Sequence, residues 1–389
     1  MNVDAAIIGA SSSGLYAAEL LSRAGQQVAV FERQLELNPA RRTYIITPCL
    51  QKVLGYIPEP AILHRISVMK VVTPGSQVEI ELLEPDLIVE RNLLIQFFTQ
   101  RASEAGVKIY KNHHFLGFAS DGRKTKLRVR NHIGEILTVE TRSVIGAEGV
   151  QSEVTKALGL KPPSSVPILQ AEVELPSGWN PSVTQVWFNT DVTRFFFWLI
   201  PESEQHAVVG LVGNNSRGVR AILQSFLTKH NFHPLSYQAG QVAMHHPKLR
   251  TWDRVGSVPV LLIGDAAGQV KVTTVGGTVT GFWGAQAAAR SLLRGTSYSH
   301  ELRALKQELN LHWFIRRLLD RLDNQGYDRL VRYINPALLK FFGSRNRDEM
   351  SGAIWQLLLR QPRLLALGLP ILFRQLSHNS PAKIVKLLK

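Results

Sequence analysis

The sequence predicts an α/β fold: a strand–helix–strand unit at the start, a mostly antiparallel β-sheet domain in the middle, and a helical C-terminal region. Three observations predict it. Residues 3–33 set two short apolar runs on either side of a helical pattern. Residues 165–250 change character, to strand-like runs separated by turn clusters. From Ser299 onward the pattern is almost entirely helical, amphipathic and basic.

The opening unit is the most informative. Its first apolar run ends at Ile8 and meets the small-residue turn Gly9-Ala10-Ser11-Ser12-Ser13-Gly14. A helical pattern follows (Leu15, Ala18, Leu21), then Gly25, then the apolar run 28–31 and Glu32. This is the length and order of a dinucleotide-binding βαβ unit. Gly9 permits the tight turn, and Gly14 lets the helix pack close to the strand. The helix N-terminus then offers free N–H groups and a positive dipole end to a pyrophosphate. Glu32 ends the second strand, where its carboxylate accepts hydrogen bonds from ribose hydroxyls and repels a 2′-phosphate. Ser11 occupies the middle position of G-x-G-x-x-G, where a glycine normally stands; its hydroxyl is itself a phosphate donor.

The following elements are read in order. Residues 47–55 predict a helix with Thr47 as cap and Pro48 in the first turn. Residues 65–72 and 77–83 alternate as strands around a turn at Pro74-Gly75. Arg91 opens a helix that stops at Gly106, and 107–110 is a strand. Runs 116–119, 127–129 and 136–139 predict a meander with turns at Asp121-Gly122 and Ile133-Gly134, and 143–145 predicts a further short strand. Strands are expected at 168–175, 184–188, 194–200, 207–211 and 258–263, with helices at 218–229 and 278–293.

Composition narrows the class. The 389 residues allow two or three structural units, and a single cysteine excludes a disulfide scaffold. The net charge is +15, and the last 89 residues hold 16 Lys+Arg against 7 Asp+Glu. With no zinc-finger or RNA-recognition signature, this favours an anionic membrane surface over nucleic acid. No run reaches the length of a membrane span and no secretory signal is visible, so a cytoplasmic protein with peripheral membrane contact is expected. The pairs His113-His114 and His245-His246 do not form a metal site, since neighbours on a strand face opposite ways; no metal is expected.

Two later motifs complete the opening one. Gly146-Ala147-Glu148-Gly149-Val150-Gln151-Ser152 follows the 143–145 strand. Residues 263–289 read IGDAAGQVKVTTVGGTVTGFWGAQAAA, in which Gly264-Asp265 ends a strand and Gly276-Gly277 opens a helix at Thr278. There Asp265 suits a ribityl hydroxyl, and the helix N-terminus suits the electron-rich end of a reduced flavin. With the Arg91 helix, these motifs resemble the FAD-dependent aromatic hydroxylase superfamily, and within it the geranylgeranyl reductase family. The resemblance covers roughly residues 1–300. It implies a Rossmann-like FAD-binding domain made of three separated segments (1–64, 91–160 and 255–298), a substrate domain (65–90 and 161–254) and a C-terminal helical region (299–389).

The resemblance also implies site residues. FAD contacts fall on Gly9, Ser11, Ser12, Ser13, Gly14, Glu32, Arg33, Arg91, Glu148, Gly149, Gly264, Asp265, Gly276, Gly277 and Thr278. Arg41 is a further candidate with its neighbour Arg42, although both also read as a basic loop. An apolar substrate wall is expected from Phe196, Trp198 and Pro201. The implied chemistry is reduction of an isolated C=C bond, with hydride from reduced flavin and a proton from an acid or water; Cys49 and Lys271 are the candidate catalytic residues. The chain departs from the family pattern at Val272, where a proline is expected, and at Val275, where a glycine is expected. A valine at 275 adds bulk and resists positive φ. The tyrosine of the wall motif is Phe196, and its glycine is Ser203.

The favoured reading is therefore an FAD-dependent reductase of a prenyl, lipid or quinone-like substrate at a membrane surface, its electron donor unspecified. A flavin monooxygenase acting on an aromatic or quinone-like molecule is the first alternative; a non-catalytic member binding a membrane partner is the second. Residues 352–376 mix apolar bulk with Arg360, Arg363 and Arg374, and read either as a membrane-interface helix or as a helix pair packed on the catalytic domain.

Overall fold

The computed structural model describes residues 1–37, 40–120, 125–344 and 347–351. The Asp121-Gly122 turn and the 352–376 segment lie outside them.

The chain opens with β1 (Asn2–Ile8), α1 (Ser12–Arg23) and β2 (Val28–Phe31). The two strands pair in parallel, from Ala5 opposite Val28 to Ile8 opposite Phe31. Ala5, Ile7, Val28 and Val30 enter one core, while Ala6, Ile8, Ala29 and Phe31 enter another. A strand buried on both faces needs apolar residues at every position, and β2 has them. Next come β3 (Thr43–Ile46), α2 (Cys49–Leu54), β4 (Ile62–Thr73), β5 (Ser76–Glu90), α3 (Arg91–Glu104), β6 (Lys108–Tyr110), β7 (His114–Ser120), β8 (Thr125–Arg130) and β9 (Ile136–Gly146). They are followed by α4 (Glu153–Ala157), β10 (Ser164–Glu174), β11 (Val183–Trp187), β12 (Phe197–Pro201), β13 (His206–Val212), α5 (Val219–Lys229), β14 (Pro234–Met244), β15 (Trp252–Val255) and β16 (Val258–Leu262). Helices α6 (Thr278–Arg294), α7 (Tyr298–Glu301), α8 (Arg303–Leu319), α9 (Asn324–Arg332) and α10 (Pro336–Gly343) complete the elements of the described residues.

Two eight-stranded sheets result. The first runs β15-β16-β9-β1-β2-β6, with β7 and β8 attached through β9. The second runs β14-β10-β13-β12-β11-β4-β5-β3 and is antiparallel apart from the β4–β11 pair. Helices α1, α3 and α6 share the core on one face of the first sheet. On the second sheet, α5 covers Leu169, Leu199, Val209 and Leu211, while Ile66, Ile88, Trp198, Ile200 and Val208 form the opposite face.

Several elements differ from expectation. Thr47 does not cap α2; Pro48 holds the cap position without a side-chain bond, and the Thr47 hydroxyl donates to Asp348 instead. The runs 136–139 and 143–145 are one strand, β9. Its first half pairs with β8 in antiparallel fashion and its second half with β1 in parallel. The strand expected from 194 begins at Phe197. Strand β14 was not anticipated, because it lies at the sheet edge and its outward residues Ser236 and Gln241 break the apolar alternation. β3, inside the first expected FAD segment, pairs with β5 in the second sheet.

Candidate functional site: three strand ends and an apolar wall

The ends of β1, β9 and β16 meet. Ala147 N donates to Ile8 O at 2.7 Å, and Ile263 N to Gly146 O at 2.9 Å. Gly9 has φ +99°, and a Cβ there would stand 2.7 Å from Ala147 O. A Cβ on Gly14 would stand 2.5 Å from Gly9 O and 2.9 Å from the Ala147 Cβ. The expected tight turn and close helix approach are both present. Ser11 lies in extended backbone, φ −69°, so its position requires no glycine. Its Oγ caps α1, accepting from Gly14 N at 3.2 Å. Ser13 sits between Gly264 and Gly281: an added Cβ would be 2.9 Å from its Oγ in the first case and 3.5 Å from its Cβ in the second. Ser12 opens α1.

Glu32 is held at the turn by two backbone donors: Ala10 N to Oε2 at 2.8 Å and Gln34 N to Oε1 at 2.9 Å. The carboxylate is thus oriented and still has lone pairs for hydroxyl donors. Arg33 is exposed and lies 3.8 Å from Glu153. Arg41 is drawn to the second sheet, pairing with Glu172 at 3.3 Å and Glu202 at 3.1 Å. Its neighbour Arg42 is the one that faces the motif residues: its guanidinium lies over Gly240, where a Cβ would be 2.5 Å from Nη1. Burial and then the nearby Arg91 charge lower the Arg42 pKa, while Tyr44 and Asp265 oppose the shift. Arg91 starts α3, its N–H donating to Arg42 O at 2.9 Å. The α3 cap is Glu90, which accepts from Asn92 N and Leu93 N at 2.9 and 2.8 Å.

Asp265 follows β16. Its Oδ2 accepts from Ala243 N at 3.3 Å. Burial raises its pKa, against the Ala243 N–H, Arg42 and Arg91. Gly277 packs beside it: a Cβ there would be 3.2 Å from Asp265 Oδ1. The half-buried Tyr44 faces the Thr278 side chain. Arg42 and Tyr44 were missed as a pair by sequence reasoning; the adjacent Arg41-Arg42 pair was the available signal.

Glu148 points inward. Its Oε1 accepts from Val154 N at 2.8 Å, while Oε2 is buried without a hydrogen-bond partner among the described residues. Burial pushes its pKa up to about 7, from an ordinary 4.5. Gly149, at φ +70°, begins the turn after it. The folded flavin-free protein therefore holds a proton that the unfolded chain releases between pH 4.5 and 7, and stability falls as pH rises through that window. A shift of this size corresponds to roughly 3–4 kcal/mol. Thermal melts of the flavin-free protein are expected to show wild type losing stability from pH 5 to 8, and Glu148→Gln to flatten that slope; parallel profiles would refute the assignment.

The loop before α6 is closed by Lys271 N donating to Gly276 O at 3.0 Å. Val275 within it has φ +55°. The backbone thus adopts the glycine-like conformation with a β-branched residue in place, at a cost of about 1–3 kcal/mol. Val272 is buried. The Lys271 ammonium forms a buried ion pair with Asp348. Cys49 is the first residue of α2 and lies in the main core beside Leu50 and Ile46. Burial, then the Asp348 and Glu349 charges, push its thiol up to about 12, which makes it a poor proton donor or nucleophile.

The apolar wall is built from Ile66, Ile88, Phe195, Trp198, Ile200, Val208 and Val212, with Phe196 and Val275 packed on it. Trp198 lies flat on Gly210 and donates Nε1–H to Gln170 Oε1 at 3.2 Å. Phe196 meets it edge-on at 6.0 Å. Pro201 does not join them. It pairs with Ala207 and shares the alternation of Phe197 and Leu199, on the α5 side of the sheet.

These residues fit FAD. The turn is a cradle that side chains at Gly9 and Gly14 would fill, two guanidiniums that repel each other stand ready for an anion, and a half-buried carboxylate follows the third strand end. Together with the second sheet they define a two-domain flavoprotein of the FAD-dependent hydroxylase type. The chain belongs to the FAD binding domain family, whose pattern it matches over residues 84–299. It is similar to digeranylgeranylglycerophospholipid reductase 2 of Methanothermobacter thermautotrophicus, with 28% identity over 365 residues, covering 85% of this chain and 91% of that one. Among solved structures, a geranylgeranyl bacteriochlorophyll reductase-like protein from Thermoplasma acidophilum superposes with a TM-score of 0.77 at 18% identity, covering 87% of this chain and 95% of that one. The p-nitrophenol 4-monooxygenase of Pseudomonas putida DLL-E4 superposes at 0.69 with 14% identity, covering 88% and 97%. The protein is an FAD-dependent oxidoreductase, similar in sequence to these reductases. Among the described residues, no helix is long and apolar enough to cross a membrane.

Proposed function

We propose that this oxidoreductase reduces isolated C=C bonds of a prenyl or other lipid-like chain. One observation carries the reading: the apolar cluster from Ile66 to Val212 continues onto Val275, in the loop that leads into the Thr278 helix. Such an apolar face suits a hydrocarbon chain, held by burial. The reductase relatives support the same substrate class.

Bound FAD supplies the hydride chemistry. The α1 N-terminus, Glu32, Arg42 and Arg91 are assigned to its adenosine–pyrophosphate half. Asp265, Gly276, Gly277 and Thr278 are assigned to the remainder, and Glu148-Gly149 closes the site between them. Lys271 is the proton-bearing group of the motif loop. The division into a three-segment FAD domain, a substrate domain (65–90 and 161–254) and the C-terminal region belongs to this reading, with β3 contributing to the substrate sheet. The C-terminal charge excess supports contact with an anionic membrane from the cytoplasmic side.

The test begins with the visible spectrum of purified protein, which is expected to show bound flavin. Chemically reduced protein, mixed without oxygen with a geranylgeranylated phospholipid in anionic vesicles, is expected to add two hydrogens per double bond by mass spectrometry. Oxygen-dependent hydroxylation instead would establish a monooxygenase. Colourless protein that takes up no FAD would leave only a non-catalytic role.

A further inference from the structure

We propose that Asp348, on the short strap of residues 347–351, is a positioning residue that fixes Lys271 and with it the loop 271–276. The inference rests on the FAD reading above.

That loop joins the two halves of the site. Val275 packs on the apolar wall and also against Val242, Ala243 and Val270, while Gly277 abuts Asp265. The loop thus lies between the strand ends assigned to FAD and the apolar wall. A valine at φ +55° persists only where its surroundings impose the conformation. Two anchors from the C-terminal region do so. Asp348 pairs with the Lys271 ammonium, both groups being buried. His312 Nδ1, on α8, meets Thr273 Oγ1 at 2.5 Å.

The strap is itself tied down on every side. Arg347 pairs with Asp86 on β5, and Glu349 with Lys52 on α2. Met350 N and Ser351 N donate to Glu308 at 2.7 and 2.8 Å. Glu308 in turn lies 3.3 Å from His312, so strap and α8 form one clamp. The Thr47 hydroxyl donates to Asp348 as well. A buried ammonium without its carboxylate would discharge or move. Asp348 therefore holds the Lys271 ammonium in place, and a C-terminal element that carries no recognisable motif completes the flavin site.

The experiment is a double-mutant cycle in the full-length holoenzyme with Asp348→Asn and Lys271→Met, reading FAD dissociation constant, flavin midpoint potential and visible spectrum. Each single variant is expected to lose about tenfold in FAD affinity and to shift the potential, and the double variant to lose no more than either single one. Asp348→Glu is expected to restore most of the affinity. Glu349→Gln, which removes only the exposed pair with Lys52, should change it less than about twofold. Additive losses, or an Asp348→Asn protein with wild-type affinity and potential, would overturn the proposal. Should Asp348→Asn fail to fold, Thr47→Val removes one bond to Asp348 and carries the same readouts; no shift in potential there counts against the proposal. Wild type without flavin would sink the FAD reading, whereas flavin-loaded wild type indistinguishable from Asp348→Asn would sink this inference alone.

Discussion

Gly14→Ala is expected to strip FAD from the purified protein and to lower its Tm by several degrees. The added carbon would lie 2.5 Å from Gly9 O and 2.9 Å from the Ala147 Cβ. The first is backbone of the phosphate turn and the second belongs to the end of β9, so neither yields as a flexible side-chain tip would. Relief requires α1 to retreat from both strand ends, and α1 is wedged between α3 and α6 in the main core. Overpacking of this kind costs about 1–3 kcal/mol. The same retreat displaces the first-turn N–H groups from the pyrophosphate position. Gly281→Ala supplies the contrast. It lies at the same crossing of α1 and α6, but its added carbon finds Gly264 Cα and Ser13 Cβ at an ordinary 3.5 Å. In a helix interior the substitution then gains about 0.5–1 kcal/mol. Flavin content and thermal melts of the two variants should move in opposite directions. A Gly14→Ala protein with wild-type flavin content and Tm would show that the turn is not the close approach described.

The parts of this site that were legible in the sequence are those in which one residue serves one local geometry. Gly9 and Gly14 carry their meaning within six positions, and the unbroken apolar run from Ala5 to Ile8 marks a strand that is buried on both faces. The parts that were not legible depend on pairing between distant segments. Arg41 and Arg42 are adjacent and equally basic. Only the pairing of β3 with β5 and the space over Gly240 decide that Arg41 meets Glu172 and Glu202 while Arg42 turns toward Asp265. Tyr44 reads as an ordinary strand residue until its hydroxyl meets Thr278. Asp348 carries no motif at all; its role comes from burial against Lys271.

Val275 shows local preference giving way. A β-branched residue resists positive φ, yet the Lys271–Gly276 closure, the His312 and Asp348 anchors and the apolar wall together hold it at +55°. Cys49 shows the reverse. Its place in the loop after β2 suggested reach into the site, but α2 turns the thiol into the core. Pro201 was misassigned because a motif quoted as a string ignores strand alternation, which sends Trp198 and Pro201 to opposite faces of β12.

Trp198→Ala is expected to cost about 3–5 kcal/mol in stability, the range for truncating a large buried aromatic. The indole lies on Gly210, whose missing side chain makes room for it, and touches Phe196 edge-on. Truncation opens a cavity in the wall and strands Gln170 Oε1, whose amide nitrogen is already committed to Thr43 O at 3.1 Å and Gln238 Oε1 at 2.7 Å. Trp198→Phe keeps most of the apolar bulk and loses the hydrogen bond, so about 1 kcal/mol is expected. Neither change touches the strand ends assigned to FAD. Flavin content should therefore stay at the wild-type level in both variants, provided the melts are run well above the temperature of loading. Turnover with a prenyl lipid separates a substrate wall from a merely structural one. If the hydrocarbon lies on this face, Trp198→Ala raises KM strongly and Trp198→Phe only slightly, because apolar contact is lost in the first and largely kept in the second. A Trp198→Ala enzyme that is destabilised but has an unchanged KM would confine Trp198 to packing and move the substrate elsewhere.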